Sequence, residues 1–137
     1  MLHNYFTFAI RRLNFFDIRF SNTMENESSK FQFENEMVWE DAGAGVKRQI
    51  MGYNDHIMSV KVKFEKGAIG TPHSHQHTQT TYVVSGVFEF TTDGETKTVK
   101  AGDGVYMKPG VLHGCKCLEP GLLIDTFSPM RKDFLNK

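Results

Sequence analysis

Short runs of alternating or β-branched residues, separated by glycine turns, constrain the fold of this chain more than any other feature of its sequence. Residues 58–64 alternate between apolar and polar side chains, which is typical of a strand with one buried face. Residues 87–91 and 95–99 flank Asp93-Gly94, a dipeptide that favours a tight β-hairpin. No stretch after residue 24 has a long helical period. The pattern therefore predicts a sandwich or barrel of short strands.

Three more segments fit this all-β prediction. Residues 80–84, 105–107 and 122–127 are rich in β-branched, aromatic and aliphatic side chains. Only residues 130–135 favour a short C-terminal helical turn. A length of 137 residues suits a single domain. The 12 glycines against 4 prolines agree with many tight turns.

The charge and cysteine content exclude several classes of protein. Lys plus Arg is 16 and Asp plus Glu is 16, so there is no excess of basic residues for binding nucleic acid or an acidic membrane surface. No apolar run approaches the roughly 20 residues of a membrane span. Cys115 and Cys117 cannot form a disulfide framework. We interpret them as small buried thiols and expect a cytoplasmic protein.

The N-terminal segment differs from the rest of the chain. Residues 1–23 hold six of the 17 aromatic side chains and lack the pattern of a signal peptide. Three interpretations are open: an arm that covers an apolar surface, a weak targeting segment, or an over-extended start before Met24. We favour a start at Met24, because a polar stretch follows it. The expected division is an extension over residues 1–30 and one domain over residues 31–137.

Three histidines at alternate positions are the main chemical signal. His73, His75 and His77 would share one face of an extended strand, and Gln79 has the same parity. Imidazoles on one face suit a metal ion, for which histidine is the commonest ligand. A histidine-rich surface turn explains the spacing equally well. The spacing by itself leaves both interpretations open.

The residues around the histidines resemble the two motifs of the cupin superfamily. The first motif is Gly, five residues, His-x-His, three or four residues, Glu, six residues, Gly; this chain has Gln79 in the place of Glu, between Gly67 and Gly86. The second motif is matched by Gly102, Gly110 and His113, although Pro109 lies one position later than usual. Together the two motifs span residues 67–113.

This resemblance implies a single small jelly-roll β-barrel with one metal site. Its implied ligands are His73, His75, Gln79 and His113. The expected cofactor is one divalent metal ion, with zinc, nickel, iron and manganese not distinguished. With Gln79 instead of a glutamate the ligand set is neutral, so the metal would be a stronger Lewis acid. His77 is expected at the rim of the site.

The C-terminal segment narrows the resemblance to one branch of cupins. Residues 37–135 are similar to the pectin-degradation cupins known as the KdgF family, which open cyclic 4,5-unsaturated monouronates to linear 4-deoxy-5-keto uronate. The resemblance implies catalytic roles for Asp125, Phe127 and Arg131. Independently of the resemblance, strand parity predicts that Asp125 and Phe127 share one face of a strand. Arg131 has a guanidinium group that suits the binding of a substrate carboxylate. A surface ion pair between Asp125 and Arg131 is the alternative.

The expected function is therefore metal-dependent ring opening of an unsaturated uronate. Arg48 and Lys108 would supply further positive charge for the acidic sugar. The rivals are a cupin that binds or senses a sugar acid, and another metal cupin enzyme such as an iron dioxygenase or an isomerase. The expected partner is the small substrate, with neither nucleic acid nor membrane. By resemblance alone, we expect a homodimer.

Overall fold

Eight β-strands make up nearly all the regular structure of residues 26–136, the part of the chain that this computed structural model describes. All of their described pairings are antiparallel. The strands are β1 (Glu40–Gly43), β2 (Val46–Asn54), β3 (Ile57–Phe64), β4 (Ile69–His73), β5 (Thr78–Thr92), β6 (Glu95–Lys100), β7 (Gly104–Met107) and β8 (His113–Ser128). Short 3₁₀ turns cover Glu34–Glu36 and Lys132–Phe134. The all-β prediction with a short C-terminal helical turn is confirmed.

The two longest strands, β5 and β8, form the spine of the fold. They pair with each other from Thr78↔Ser128 to Thr92↔His113. The first half of β5 also pairs with β7, and its second half pairs with β6. β8 pairs with β4 near its start and with β3 near its end, and β3 continues the sheet to β2 and β1. The two halves of the spine thus pair with different strands of one eight-stranded sheet, an arrangement consistent with a jelly roll.

A bend in the spine lets each long strand pair with different neighbours along its two halves. The register between β5 and β8 shifts three times between Val83 and Phe88. Gly86, at the centre, has φ +86°, and a Cβ there would lie 2.6 Å from the Cα of Gly121. Only glycine permits both this backbone conformation and this close approach. The last glycine of the first motif therefore makes the bend possible.

Strand alternation places the core as the sequence predicts. Met58, Val60 and Phe64 of β3 are buried, with the intervening residues more exposed. Phe64 packs edge-on against Phe88, with the ring centroids 5.3 Å apart. The hairpin prediction at Asp93-Gly94 is also confirmed, because both residues have positive φ between β5 and β6.

The described N-terminal residues lie against the β2–β3 turn. Glu27 bridges to Asn54, and the Ser28 amide donates a hydrogen bond to the Tyr53 carbonyl oxygen at 2.9 Å. The proposed start at Met24 and the alternatives for residues 1–23 lie outside the described residues. Within residues 26–136, no helix has the length and apolar character needed to cross a membrane.

Candidate functional site

Three histidine side chains meet inside the barrel. His73 is the last residue of β4 and pairs with His113, the first residue of β8. Their ring centroids lie 4.5 Å apart, and the ring of His75 lies 4.9 Å from that of His113. One possible ligand nitrogen from each of the three falls within 4.8 Å of the others. The chain therefore has a three-histidine group that could hold a metal ion.

The histidines converge for a different reason from the one predicted. His73, His75 and His77 do not lie along one extended strand, because β4 ends at His73 and β5 begins at Thr78. His75 and His77 belong to the connection between these strands, and only Gln79 is in β5. The prediction of a shared strand face is wrong. The turn of this connection brings His75 beside His73 and His113.

Hydrogen bonds fix the tautomers of two of the rings. His73 Nδ1 donates to the Thr71 carbonyl oxygen at 2.8 Å, and His113 Nδ1 donates to the Val111 carbonyl oxygen at 3.0 Å. A carbonyl oxygen only accepts, so in the neutral rings both Nε2 atoms carry a free lone pair. Such backbone partners commonly orient histidines that bind metals.

The remaining ring nitrogens also fit a metal ion. His113 Nε2 and His75 Nδ1 are buried without a hydrogen-bond partner among the described residues. Burial lowers the pKa of His75 and of His113, which favours the neutral rings that can coordinate a cation. A buried, unpaired nitrogen is costly, and coordination would remove that cost. The donor set therefore suits the divalent cation expected from the sequence.

A chain of hydrogen bonds leads from the histidines to a carboxylate. His75 Nε2 lies 2.9 Å from Gln79 Oε1, and Gln79 Nε2 donates to Thr81 Oγ1 at 3.1 Å. The Thr81 hydroxyl donates to Asp125 Oδ1 at 2.6 Å. Burial raises the pKa of Asp125 to about 6, against the opposing effect of the bonds from Thr81 and Gln79. The chain holds Asp125 in one orientation beside the histidine group.

Asp125, Gln79, His73 and His113 line a cavity of about 560 Å³. This volume is within the range typical of small-molecule sites. Among the described residues that line the cavity, Asp125 is the one with an acidic side chain. The polar part of the wall includes Arg48, His73, Gln79, His113, Asp125 and Arg131. The apolar part includes Val46, Val60, Val62, Phe64, Ala68, Phe90, Leu123, Phe127 and Phe134.

Two arginines from distant parts of the chain face this cavity. Arg48 of β2 has Nε 3.2 Å from Glu40 Oε2. Arg131 follows β8 and donates two hydrogen bonds to Asp133, from Nε at 2.9 Å and from Nη2 at 2.8 Å. The hydrogen bonds from Arg131 lower the pKa of Asp133. The second terminal nitrogen of Arg131, Nη1, has no hydrogen-bond partner among the described residues.

Comparison with known proteins identifies the family. Residues 60–127 match the cupin domain. Over 108 residues the chain is 46% identical to the pectin degradation protein KdgF of Dickeya dadantii (strain 3937), covering 77% of this chain and 98% of that protein. The chain is a cupin of the KdgF family.

Solved structures agree with this membership. The structure of KdgF from Halomonas sp. is 42% identical, with a TM-score of 0.73 over 76% of this chain and 98% of that one. An RmlC-like cupin from Shewanella frigidimarina NCIMB 400 is 47% identical, with a TM-score of 0.77 over 79% of this chain and 97% of that one.

Most of the site residues expected of this KdgF-family cupin surround the cavity. Asp125 and Phe127 point into it from β8, and Arg131 and Arg48 lie beside them. Lys108 is exposed in the loop after β7 and is not among the described residues that line the cavity. Arg131 pairs with Asp133, and not with Asp125 as the surface ion-pair alternative supposed.

The remaining histidine and the cysteines have distinct surroundings. His77 Nδ1 donates to the Pro129 carbonyl oxygen at 2.8 Å, and its ring packs near His75 and Phe127. Cys115 lines the cavity, and burial raises the pKa of its thiol to about 12. Cys117 is fully buried in the core. Both cysteines are free.

Two residues of the site escaped the sequence analysis. Thr81 follows Gln79 by two positions, so strand parity would have placed both on one face. Phe134 lines the cavity from the C-terminal 3₁₀ turn, and its ring contacts both arginines. Nothing in the local sequence signals the latter contact, because Arg48 is 86 positions earlier.

Proposed function

We propose that this protein opens cyclic 4,5-unsaturated monouronates to the linear 4-deoxy-5-keto uronate in a metal-dependent reaction, as part of pectin or alginate breakdown. The observation that carries the proposal is the cavity, in which one carboxylate and two arginines face the same space as His73 and His113 of the three-histidine group. A relative that is 46% identical bears the name of a pectin degradation protein, which supports the pathway.

The proposed reaction is an isomerisation with no external oxidant or reductant. The substrate is a cyclic hemiacetal whose ring oxygen is also part of an enol ether between C4 and C5. Loss of the proton on the C1 hydroxyl lets the bond between C1 and the ring oxygen break, which leaves an aldehyde at C1. The electron pair of that bond stays on the oxygen of C5 as an enolate. Addition of one proton at C4 then gives the 5-keto product.

Asp125 would carry the proton in this reaction. Its carboxylate faces the cavity, and the 2.6 Å bond from Thr81 holds one of its oxygens. The other oxygen can accept the proton from the C1 hydroxyl and later donate it toward C4. General acid–base catalysis requires this kind of fixed group within hydrogen-bond reach of the substrate.

Arg131 and Phe127 would orient the sugar. Arg131 offers its Nη1 side to the C6 carboxylate, because Asp133 occupies the Nε–Nη2 edge. Phe127 is buried beside His75, with the ring centroids 5.7 Å apart, and can pack against the sugar ring and exclude water. Arg48 supplies a second positive charge to the same space.

His73, His75 and His113, together with the Gln79 oxygen, would hold the metal ion. When bound, a divalent cation stabilises negative charge on an oxygen, which suits the enolate of this reaction. The buried Nε2 of His113, which has no partner among the described residues, supports this assignment, and so does the 2.9 Å distance that brings His75 Nε2 and the Gln79 oxygen together.

The test follows the absorbance of the conjugated double bond in a freshly prepared unsaturated monouronate. Slow spontaneous opening gives the baseline. Metal-loaded protein should accelerate the loss of absorbance, and a chelator should abolish the acceleration. Loss at the spontaneous rate, with the metal content confirmed by elemental analysis, would refute the proposal.

Asp125→Asn tests the proton-carrying role. Asparagine keeps the size of the side chain and can still accept the Thr81 hydrogen bond, so the fold and the metal content should persist while turnover is lost. Asp41→Asn, at an exposed position of β1, is the matched control and should retain activity. An active Asp125→Asn variant would contradict the role assigned to this carboxylate.

A further inference from the structure

One aromatic ring contacts both arginines of the cavity. The Cζ atom of Arg48 lies 3.9 Å from the centroid of the Phe134 ring, and that of Arg131 lies 4.2 Å from the same centroid. Arg48 belongs to β2, whereas Arg131 and Phe134 lie beyond β8. The ring therefore joins two guanidinium groups that are far apart in the sequence.

Two cations held this close repel each other unless other groups compensate. Each guanidinium has a carboxylate on one side, Glu40 for Arg48 and Asp133 for Arg131. The face of an aromatic ring is electron-rich and attracts a cation. Phe134 thus offers a compensating contact to both groups while leaving their remaining N–H donors available.

The barrel fixes the position of the ring. Phe134 packs edge-on against Phe127, with the ring centroids 5.8 Å apart. It also packs against the buried cluster of Met58, Val60 and Met130. The short 3₁₀ turn of residues 132–134 begins directly after Arg131. A ring held in this way can orient the two arginines.

We propose that Phe134 is a positioning residue that holds Arg48 and Arg131 as one carboxylate-binding pair, and that this pair makes the cavity select acidic over neutral sugars. The assignment of the ligand as a uronate rests on the proposed function. Both arginines and the ring line the same cavity, which supports a shared role of the two guanidinium groups in binding a carboxylate there.

The test compares Phe134→Leu with Phe134→Tyr in the metal-loaded protein. Leucine keeps an apolar side chain but removes the aromatic face, whereas tyrosine retains it. Phe31→Leu is the matched control, because Phe31 is exposed and stacks only near Phe33 among the described rings. Thermal unfolding of each variant checks that the barrel remains folded.

Calorimetry measures the binding of D-galacturonate, a saturated uronate, and of D-galactose, its neutral counterpart. We expect Phe134→Leu to weaken galacturonate binding about tenfold and to change galactose binding less than about twofold. Phe134→Tyr and Phe31→Leu should match the wild type. In ¹H–¹⁵N spectra, galacturonate should shift the Nε–H signals of Arg48 and Arg131 together in the wild type and no longer together in Phe134→Leu.

Ring-opening kinetics separate positioning from a purely structural role. The KM for the unsaturated uronate should rise by the same factor as the galacturonate dissociation constant, with kcat nearly unchanged. Unchanged galacturonate binding in folded Phe134→Leu, or equal weakening for both sugars, would overturn the inference. Binding that depends on Phe134 without any ring opening would overturn the proposed function and leave this inference standing.

Discussion

The hydroxyl of Thr81 is the central link between the histidine group and Asp125, and its removal tests that link directly. Thr81→Val keeps the shape of the side chain and deletes only the hydroxyl. In the structure this oxygen donates to Asp125 Oδ1 at 2.6 Å and accepts from Gln79 Nε2 at 3.1 Å. Thr81 is 2% exposed and Gln79 is 4% exposed, so little water can replace the lost group on their side.

The expected loss of stability follows from these two hydrogen bonds. A hydrogen bond to an ionised group contributes about 1.5–3 kcal/mol, and a buried N–H that loses its acceptor costs about 1–3 kcal/mol. Gln79 Nε2 would lose the acceptor of one N–H and keep its bond to Asp125. Asp125 is partly open to the cavity, so water offsets part of its loss. We expect Thr81→Val to lower the free energy of unfolding by about 2–4 kcal/mol, which corresponds to roughly 10 °C in Tm for a domain of this size.

The assay is urea unfolding of the metal-free protein at about pH 8, at which Asp125 is ionised in the folded state. Thr91→Val is the matched control on the same strand, because its hydroxyl makes an exposed bond to Thr96 at 2.7 Å. That change should cost less than about 0.5 kcal/mol. Thr81→Ser keeps the hydroxyl and should recover most of the loss. A Thr81→Val variant as stable as Thr91→Val would refute the reasoning.

Three further predictions concern the cavity and the bend. Burial raises the pKa of the Cys115 thiol to about 12, so the folded protein should resist alkylation by iodoacetamide at about pH 8, as measured by mass spectrometry. The free energy of unfolding should also fall as the pH rises above about 9, because in that range the thiol ionises in the unfolded chain but not in the folded protein. Gly86→Ala should cost more than about 2 kcal/mol in urea unfolding, because its Cβ would meet Gly121, whereas Gly94→Ala, with positive φ but open space, should cost about 1 kcal/mol. His113→Ala should abolish bound metal in elemental analysis, and a chelator should then lower the Tm of the wild type but not that of the variant.

The strands were predictable because strand structure is a local property. The alternation over residues 58–64 predicts which side of β3 is buried, and the structure confirms it. The same parity predicts that Asp125 and Phe127 point in one direction, and both line the cavity from β8. The backbone geometry of a strand sets this period of two, so the sequence is enough to predict which side chains share a face.

The histidine motif shows where local reasoning failed in its details. The motif spacing predicts that His73, His75 and His113 come together, and the structure brings them together. The geometry assumed for the first two was wrong, because the chain leaves the strand after His73. A spacing pattern records which residues meet, but it does not specify the backbone path that lets them meet.

The strand periods, the turn glycines and the residues that match the family's motifs can be predicted from the amino-acid sequence, because each depends on neighbours along the chain. The three-dimensional fold was needed to establish that Thr81 links Gln79 to Asp125, that Asp133 pairs with one edge of Arg131, and that Phe134 contacts Arg48. The fold also shows that Lys108 does not line the cavity. Thr81 and Asp125 lie on different strands, and Arg131, Asp133 and Phe134 lie after the last strand. Their partners are fixed by the pairing register of β5 with β8 and by the path of the chain after β8, which no local pattern encodes.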